Sequence, residues 1–225
     1  MSAGMLRRAG AEALGTALLL ISVIASGIMG VNLAGGNVAL ALLANAIATG
    51  CMLYVIITTL GPLSGAHFNP AVSLAFYLRG ALPTKDLLIY VPAQCLGGIL
   101  GVWAAHIMFA LPVLQTSQTL YRTGGAQWFS EGVATFGLLF VIFGGLKSRP
   151  EAVPTLVALY ITGAYWFTSS TSFANPAVTL ARGFSDTFAG IFPGHIAMFI
   201  VAQLATVFVA HAVLRWLFDD YSAPP

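Results

Sequence analysis

Long apolar runs separated by short polar segments make up most of the chain. Each run approaches or exceeds the ~17 to 25 residues that an α-helix needs to cross a lipid bilayer. The runs occupy residues 11–33, 37–60, 87–111, 129–146, 152–167 and 195–218. The pattern therefore predicts an all-α membrane protein with six transmembrane helices.

The tripeptide Asn-Pro-Ala occurs twice, each time between two of these runs. Asn is a strong N-cap residue and Pro is favoured at the first helical position, so each copy should begin a short helix. The copies consist of Asn69, Pro70 and Ala71 and of Asn175, Pro176 and Ala177. Two short helices are therefore expected in addition to the six spans.

Three landmarks recur in the same order in the two halves of the chain. The first and fourth runs begin near Glu12 and Glu131, and an Asn-Pro-Ala copy follows in each half. Gln94 and Gln203 then lie in the third and sixth runs. An ordered recurrence of this kind indicates an internal duplication.

The duplication predicts how the halves cross the membrane. Each repeat contains three spans, so the second repeat must start from the opposite side. The repeats are expected at about residues 8–111 and 127–220 of a single domain, 1–225. The two short helices then enter the bilayer from opposite faces as re-entrant half-helices and meet near its midplane. The prediction is an inverted 3+3 repeat.

Composition and charge agree with a membrane protein. Charged residues are 7% of the chain, against about a quarter in soluble domains. Most basic residues fall on the side of the N-terminus when the chain is threaded through six spans: Arg7, Arg8, Arg79, Lys85, Lys147, Arg149 and Arg215. Such an excess marks the cytoplasmic side. We expect a multi-pass protein of the cell (inner) membrane, with both termini cytoplasmic and no nucleic-acid partner.

The half-helices predict a chemistry for the place where they meet. If the side-chain oxygens of Asn69 and Asn175 cap the helices, their amide groups are free to donate to a water or hydroxyl oxygen. The facing helix ends together act as roughly one positive charge, which opposes a cation by ~4 kcal/mol at ~4 Å and an effective dielectric near 20. This arrangement favours passive conduction of uncharged solutes, without a cofactor.

These features resemble the aquaporin and aquaglyceroporin (major intrinsic protein) family along nearly the whole chain. The resemblance lies in residues 12–16, 64–72 (SGAHFNPAV), 93–94 and 172–178 (SFANPAV). It implies a homotetramer with one pore in each subunit, and a channel rather than an enzyme. It also implies pore-lining loop residues and a structural set of buried polar residues: Gly65, Ala66, His67, Phe173 and Ala174, and Glu12, Glu131, Gln94 and Gln203.

The family's outer constriction normally includes an arginine directly after the second Asn-Pro-Ala, where this chain has Val178. Family spacing implies Thr49, Gly163 and Ser172 as the other members. A ring of these four residues contains no cation and no aromatic group, so we expect a wide filter. Together with residues 172–191, the valine resembles the bacterial aquaglyceroporin branch associated with arsenic resistance. That resemblance implies conduction of arsenous acid, related neutral metalloids and uncharged methylated arsenicals.

Some residues have two interpretations. Arg182 lies four positions after Val178, so it either returns a charge to the outer mouth or pairs with Asp186. His67 either contacts the inner vestibule or packs within its loop. Glu12 and Glu131 either hold the loops or relay protons, as in a coupled secondary transporter. A glycerol and water facilitator without an arsenic role is a further alternative. No sequence pattern indicates a catalytic triad or a metal site.

Overall fold

Eight α-helices make up most of residues 3–218, which are the residues that the computed structural model describes. The helices are α1 (Ala3–Leu33), α2 (Val38–Ser64), α3 (Pro70–Leu78), α4 (Thr84–Met108), α5 (Gly125–Ser148), α6 (Val153–Phe167), α7 (Pro176–Arg182) and α8 (Ile196–Phe218). Single 3₁₀ turns, Pro150–Ala152 and Pro193–His195, precede α6 and α8. No strand occurs among the described residues, which confirms the all-α prediction. The C-terminus, predicted to be cytoplasmic, lies outside these residues.

Within residues 3–218, five helices are long and apolar enough to cross a membrane: α1, α2, α4, α5 and α8. The sixth predicted span, α6, has 15 residues. At 1.5 Å per residue it extends about 22 Å, which is shorter than the ~30 Å hydrocarbon core. The 3₁₀ turn Pro150–Ala152 lies directly before the N-terminal end of α6. The prediction of six spans therefore holds in helix order, while α6 is shorter than a full span.

The helices form two groups with the short helices between them. In the first half, α1 packs against α2 and α4, and in the second half, α5 packs against α6 and α8. The half-helix α3 contacts α4 and α8, and α7 contacts the same two helices. Each half-helix thus touches both halves of the chain. The repeat boundaries, 8–111 and 127–220, and the opposite orientation of the repeats stay predictions.

Two glycines of α4 allow it to pack closely against α1. A Cβ atom on Gly97 would lie 2.1 Å from the carbonyl oxygen of Ala13, and one on Gly101 would lie 2.3 Å from that of Ala17. Both distances are far below van der Waals contact, so no larger residue fits at the present separation of α1 and α4. The small residues at i and i+4 hold α4 against α1, which contains Glu12.

Candidate functional site

The two Asn-Pro-Ala copies begin α3 and α7 with the same capping geometry. Asn69 Oδ1 accepts a hydrogen bond from the backbone N–H of Ala71 at 2.8 Å. Asn175 Oδ1 accepts from the N–H groups of Ala177 and Val178 at 2.9 and 3.2 Å. A proline occupies the first helical position in each case, where its missing N–H removes no helical hydrogen bond. Each triplet therefore begins a helix at the position that the sequence predicts.

The two caps also bind each other's loops. Asn69 Nδ2 donates to the carbonyl of Ala174 at 2.7 Å, and Asn175 Nδ2 donates to the carbonyl of Phe68 at 2.8 Å. An amide group has two hydrogens, so each cross-link leaves one for a molecule in the lumen. The expectation that the amide groups are wholly free is therefore wrong. Sequence reasoning missed this reciprocal link, which has no signature in a single triplet.

The loops before the caps have an unusual backbone. Ala66 and Phe68 in the first loop have φ values of 51° and 49°, and Ser172 and Ala174 in the second have φ values of 51° and 47°. Such left-handed conformations cost about 1–3 kcal/mol each for residues other than glycine. They direct the carbonyls of Phe68 and Ala174 toward the opposite asparagine. The loops therefore need strong support from the surrounding helices.

A buried carboxylate supports the first loop. Glu12 on α1 accepts hydrogen bonds from the N–H groups of His67 and Phe68 at 3.0 and 2.6 Å. It also accepts from Ser64 Oγ at 2.6 Å and from Gln94 Nε2 at 2.8 Å. Four donors occupy both oxygens, which compensates for the cost of burying the charge. These bonds favour a loop-holding role for Glu12.

Glu131 supports the second loop in the equivalent way. It accepts from the N–H groups of Phe173 and Ala174 at 2.9 and 2.8 Å and from Gln203 Nε2 at 2.6 Å. Gln203 also donates to Thr179 Oγ1 at 2.9 Å, as Gln94 donates to Ser73 Oγ in the first half. The two halves therefore hold their loops with matching glutamate and glutamine side chains, which are the structural set predicted from the sequence, and with Ser73 and Thr179, which that set does not include.

A cavity of about 120 Å³ passes the meeting point of the two loops. Its volume is well above the ~10–15 Å³ that one ordered water requires. Most of the residues predicted to face the lumen line it: Thr49, Gly65, Ala66, His67, Asn69, Ser172, Phe173, Asn175 and Val178. Phe68 lines it as well and was not predicted. The buried Ala174 is not among the lining residues, because its carbonyl faces Asn69 instead.

The prediction that Gly163 faces the lumen is wrong. Gly163 lies on the exposed surface of α6. The lining residues of α6 recur every fourth position and end at Tyr165: Val153, Val157, Ile161 and Tyr165. They extend the cavity about 18 Å along the helix. The Tyr165 hydroxyl lies 3.2 Å from Thr49 Oγ1 on α2, so the two form a hydrogen bond beside the lumen.

Arg182 takes the cavity-lining position, and the alternative pairing with Asp186 is wrong. The helix α7 ends at Arg182, so Asp186 lies beyond it and not one turn further on the same face. Asp186 accepts instead from the N–H of Gln118 at 2.9 Å and from Thr119 Oγ1 at 3.3 Å. The Arg182 guanidinium lies 3.4 Å from the centroid of the Phe173 ring. A cation and an aromatic ring therefore lie in the cavity wall together with Val178, which agrees with the interpretation in which Arg182 returns a charge to the outer mouth.

His67 combines its two proposed positions. Its Nδ1 lies 3.1 Å from Ser73 Oγ, and its ring stacks on Phe76 with centroids 4.5 Å apart. The side chain is buried by these contacts and also lines the cavity. His67 thus packs within its loop while one surface of the ring faces the lumen.

Comparisons with known proteins agree with this architecture. The family model described as "Major intrinsic protein" matches residues 1–169. The chain is 58% identical to aquaglyceroporin AqpS of Rhizobium meliloti over 94% of this chain and 90% of that protein. It is 33% identical to aquaporin NIP1-1 of Arabidopsis thaliana over 72% of this chain and 56% of that protein.

A solved structure shares the fold at low sequence identity. The X-ray structure of the aquaglyceroporin from Plasmodium falciparum superposes with a TM-score of 0.72 and 21% identity. The match covers 96% of this chain and 99% of that one. With the matching family model and the close bacterial relative, these findings show that the chain belongs to the major intrinsic protein family of membrane channels.

Proposed function

We propose that the protein conducts small uncharged solutes with hydroxyl groups, including arsenous acid, glycerol-like polyols and water. The observation that supports this most directly is the cavity between the two cross-linked caps. Among residues 3–218, no carboxylate lines this cavity. The side chains that can form hydrogen bonds along it are those of Thr49, His67, Asn69, Tyr165, Ser172, Asn175 and Arg182. A neutral oxygen compound can exchange water for these groups along the path, whereas a metal cation finds no anionic partner.

Val178 supports the inclusion of solutes larger than water. Its side chain lines the cavity one residue after the second Asn-Pro-Ala, where the resembled family normally has arginine. Valine is shorter than arginine and leaves space in the lumen at this level. Arsenous acid is a neutral, polyol-sized molecule near pH 7 and presents three hydroxyl groups. The relative with 58% identity is named an aquaglyceroporin, which agrees with polyol-sized solutes.

The buried glutamates favour a passive channel over a proton-coupled transporter. Glu12 and Glu131 are both fully buried, and neither lines the cavity. Their oxygens accept hydrogen bonds from the loops and glutamines, so protonation would remove acceptors that the folded loops need. A carboxylate that holds a loop in this way is poorly suited to repeated proton transfer during transport.

The proposal includes the membrane arrangement. The protein acts as a homotetramer in the cell (inner) membrane, with both termini in the cytoplasm. An ion pair between Arg8 and Asp86, 3.0 Å apart, joins the start of α1 to the start of α4. It lies at the end of the helices where the basic residues predict the cytoplasm.

Replacing Val178 with arginine is expected to slow arsenous acid flux at least about tenfold, while water flux persists. The longer side chain would fill the space beside Asn175 and add a further cation near Arg182. The rates follow from stopped-flow light scattering of proteoliposomes under an inward gradient of neutral arsenous acid, with glycerol and water measured in parallel. A tenfold slower flux corresponds to a rise of about 1.4 kcal/mol in the free-energy barrier to permeation.

Val178→Ile is the matched control, because it adds one methylene group without a charge. Its arsenous acid flux is expected to stay within about threefold of the wild type, since one methylene is a small change in a pore wall. Wild-type reswelling no faster than that of empty liposomes would defeat the arsenical assignment. Equal fluxes in wild type and Val178→Arg would refute the role of Val178.

A further inference from the structure

The outer end of the cavity is defined by Tyr165 and Arg182. Some N–H groups of the Arg182 guanidinium donate no hydrogen bond within the described part of the protein. Arg182 is 2% exposed, and its Nε donates to the carbonyl of Ala189. Among residues 3–218, no group accepts a hydrogen bond from its terminal nitrogens Nη1 and Nη2, and no carboxylate forms an ion pair with it. Because Arg182 lines the cavity, these nitrogens remain available to a molecule inside it.

A second arginine, Arg122, lies near the same Phe173 ring, but its guanidinium is hydrogen-bonded to the protein. The guanidinium of Arg122 lies 5.3 Å from the centroid of Phe173. Its Nε donates to the carbonyl of Gly190 at 2.9 Å, and its terminal nitrogens reach the carbonyls of Phe188 and Ser170 at 3.3 and 3.5 Å. Arg122 is not among the residues that line the cavity. Its donors are used to hold the outer loops together.

We propose that Arg182 sets the charge selectivity of the outer channel and donates hydrogen bonds to the permeating solute. It thus replaces the arginine that the chain lacks at Val178. Residues at i and i+4 of a helix lie on the same face, and both Val178 and Arg182 line the cavity from α7. The inference rests on the proposed function and adds a specific residue to it.

The position explains how a lumen with valine at the usual arginine site can still exclude cations. Arg182 places a full positive charge in a buried part of the path, where charge interactions are weakly screened. Phe173 covers one face of the guanidinium, so the polar edge is left for solute. The hydroxyls of Thr49 and Tyr165 provide further partners for an uncharged solute in the same cavity.

Replacing Arg182 with methionine, which removes the charge at similar length, tests the inference. Wild-type, Arg182→Met and Arg182→Lys proteins would be compared in proteoliposomes containing a pH-sensitive dye, with proton leak driven by a potassium diffusion potential. The methionine variant is expected to leak at least about tenfold faster than the wild type, because the local barrier to a cation falls. The lysine variant keeps a positive charge at the same position, so its leak is expected to stay within about twofold of the wild type.

Arg122→Met is the matched control. It removes the same charge near Phe173 but outside the cavity, so its leak is expected to equal that of the wild type. A leak in folded Arg182→Met equal to the wild type would overturn the inference, as would an equal rise in Arg122→Met. If Arg182→Met does not fold, Arg182→Gln takes its place against Arg182→Lys under the same criteria.

Solute flux is recorded on the same vesicles and separates the two proposals. Wild-type vesicles that pass water but neither arsenous acid nor glycerol would refute the proposed solutes, while the proton leak would still test Arg182. Wild-type vesicles that pass these solutes, combined with an unchanged leak in Arg182→Met, would refute only the role of Arg182.

Discussion

Replacing Glu131 with alanine is expected to abolish solute flux, because the second loop would lose its support. The N–H groups of Phe173 and Ala174 and the amide of Gln203 would remain buried without the acceptor. An unsatisfied buried donor costs about 1–3 kcal/mol, so the three together cost about 3–9 kcal/mol. That range is comparable to the whole stability of many domains. The left-handed conformation at Ala174 would no longer be held.

The measurement combines thermal unfolding in detergent with stopped-flow glycerol flux in proteoliposomes. Glu12→Ala should behave like Glu131→Ala, because Glu12 accepts from four donors in the first half. Glu151→Ala is the matched control, since Glu151 lies exposed in the turn before α6. A Glu131→Ala protein with the unfolding temperature and flux of the Glu151→Ala control would contradict the loop-holding role.

Replacing Asn69 and Asn175 together with alanine is expected to give the second largest effect. Each asparagine caps a half-helix, which is typically worth about 1 kcal/mol, and also donates across the junction to the other loop. The double variant would lose about 4 kcal/mol if each cross-link adds about another 1 kcal/mol. The loops would separate, and glycerol flux per folded protein would fall at least about tenfold.

Asn37→Ala separates capping from cross-linking. Asn37 caps α2 by accepting from the N–H of Leu40 at 3.1 Å, but it lies exposed, away from the cavity. Its replacement is expected to lower stability by about 1 kcal/mol or less and to leave flux unchanged. If the unfolding temperature and glycerol flux of the double variant changed no more than those of Asn37→Ala, the cross-link would contribute neither to stability nor to conduction.

The sequence predicts the helix order, the half-helix starts and the buried polar supports, because each depends on local chemistry or repetition. Asn and Pro have strong preferences at the first positions of a helix, so Asn69 and Asn175 mark their elements. Glu12 and Glu131 are identified by their matching positions in the two halves. The reciprocal amide bonds between the loops could not be predicted, since they depend on how the two halves meet in space.

The errors at the filter have a geometric origin. Family spacing assigns Gly163 to the filter, but successive residues turn about 100° around a helix, so Gly163 lies about 200° from Tyr165. The recurrence of Val157, Ile161 and Tyr165 at every fourth position contains the correct signal. The pairing of Arg182 with Asp186 assumed a continuous helix, whereas α7 ends at Arg182.

The central claim is that solute crosses passively through the cavity between the two caps. The most direct test is tracer glycerol exchange in wild-type proteoliposomes, with and without a pH gradient and over a wide glycerol range. The account predicts a rate that follows only the glycerol gradient, is unchanged by pH or sodium gradients, and ends at equal concentrations inside and outside. Accumulation of glycerol above equilibrium in the presence of an ion gradient would contradict a channel and indicate coupled transport.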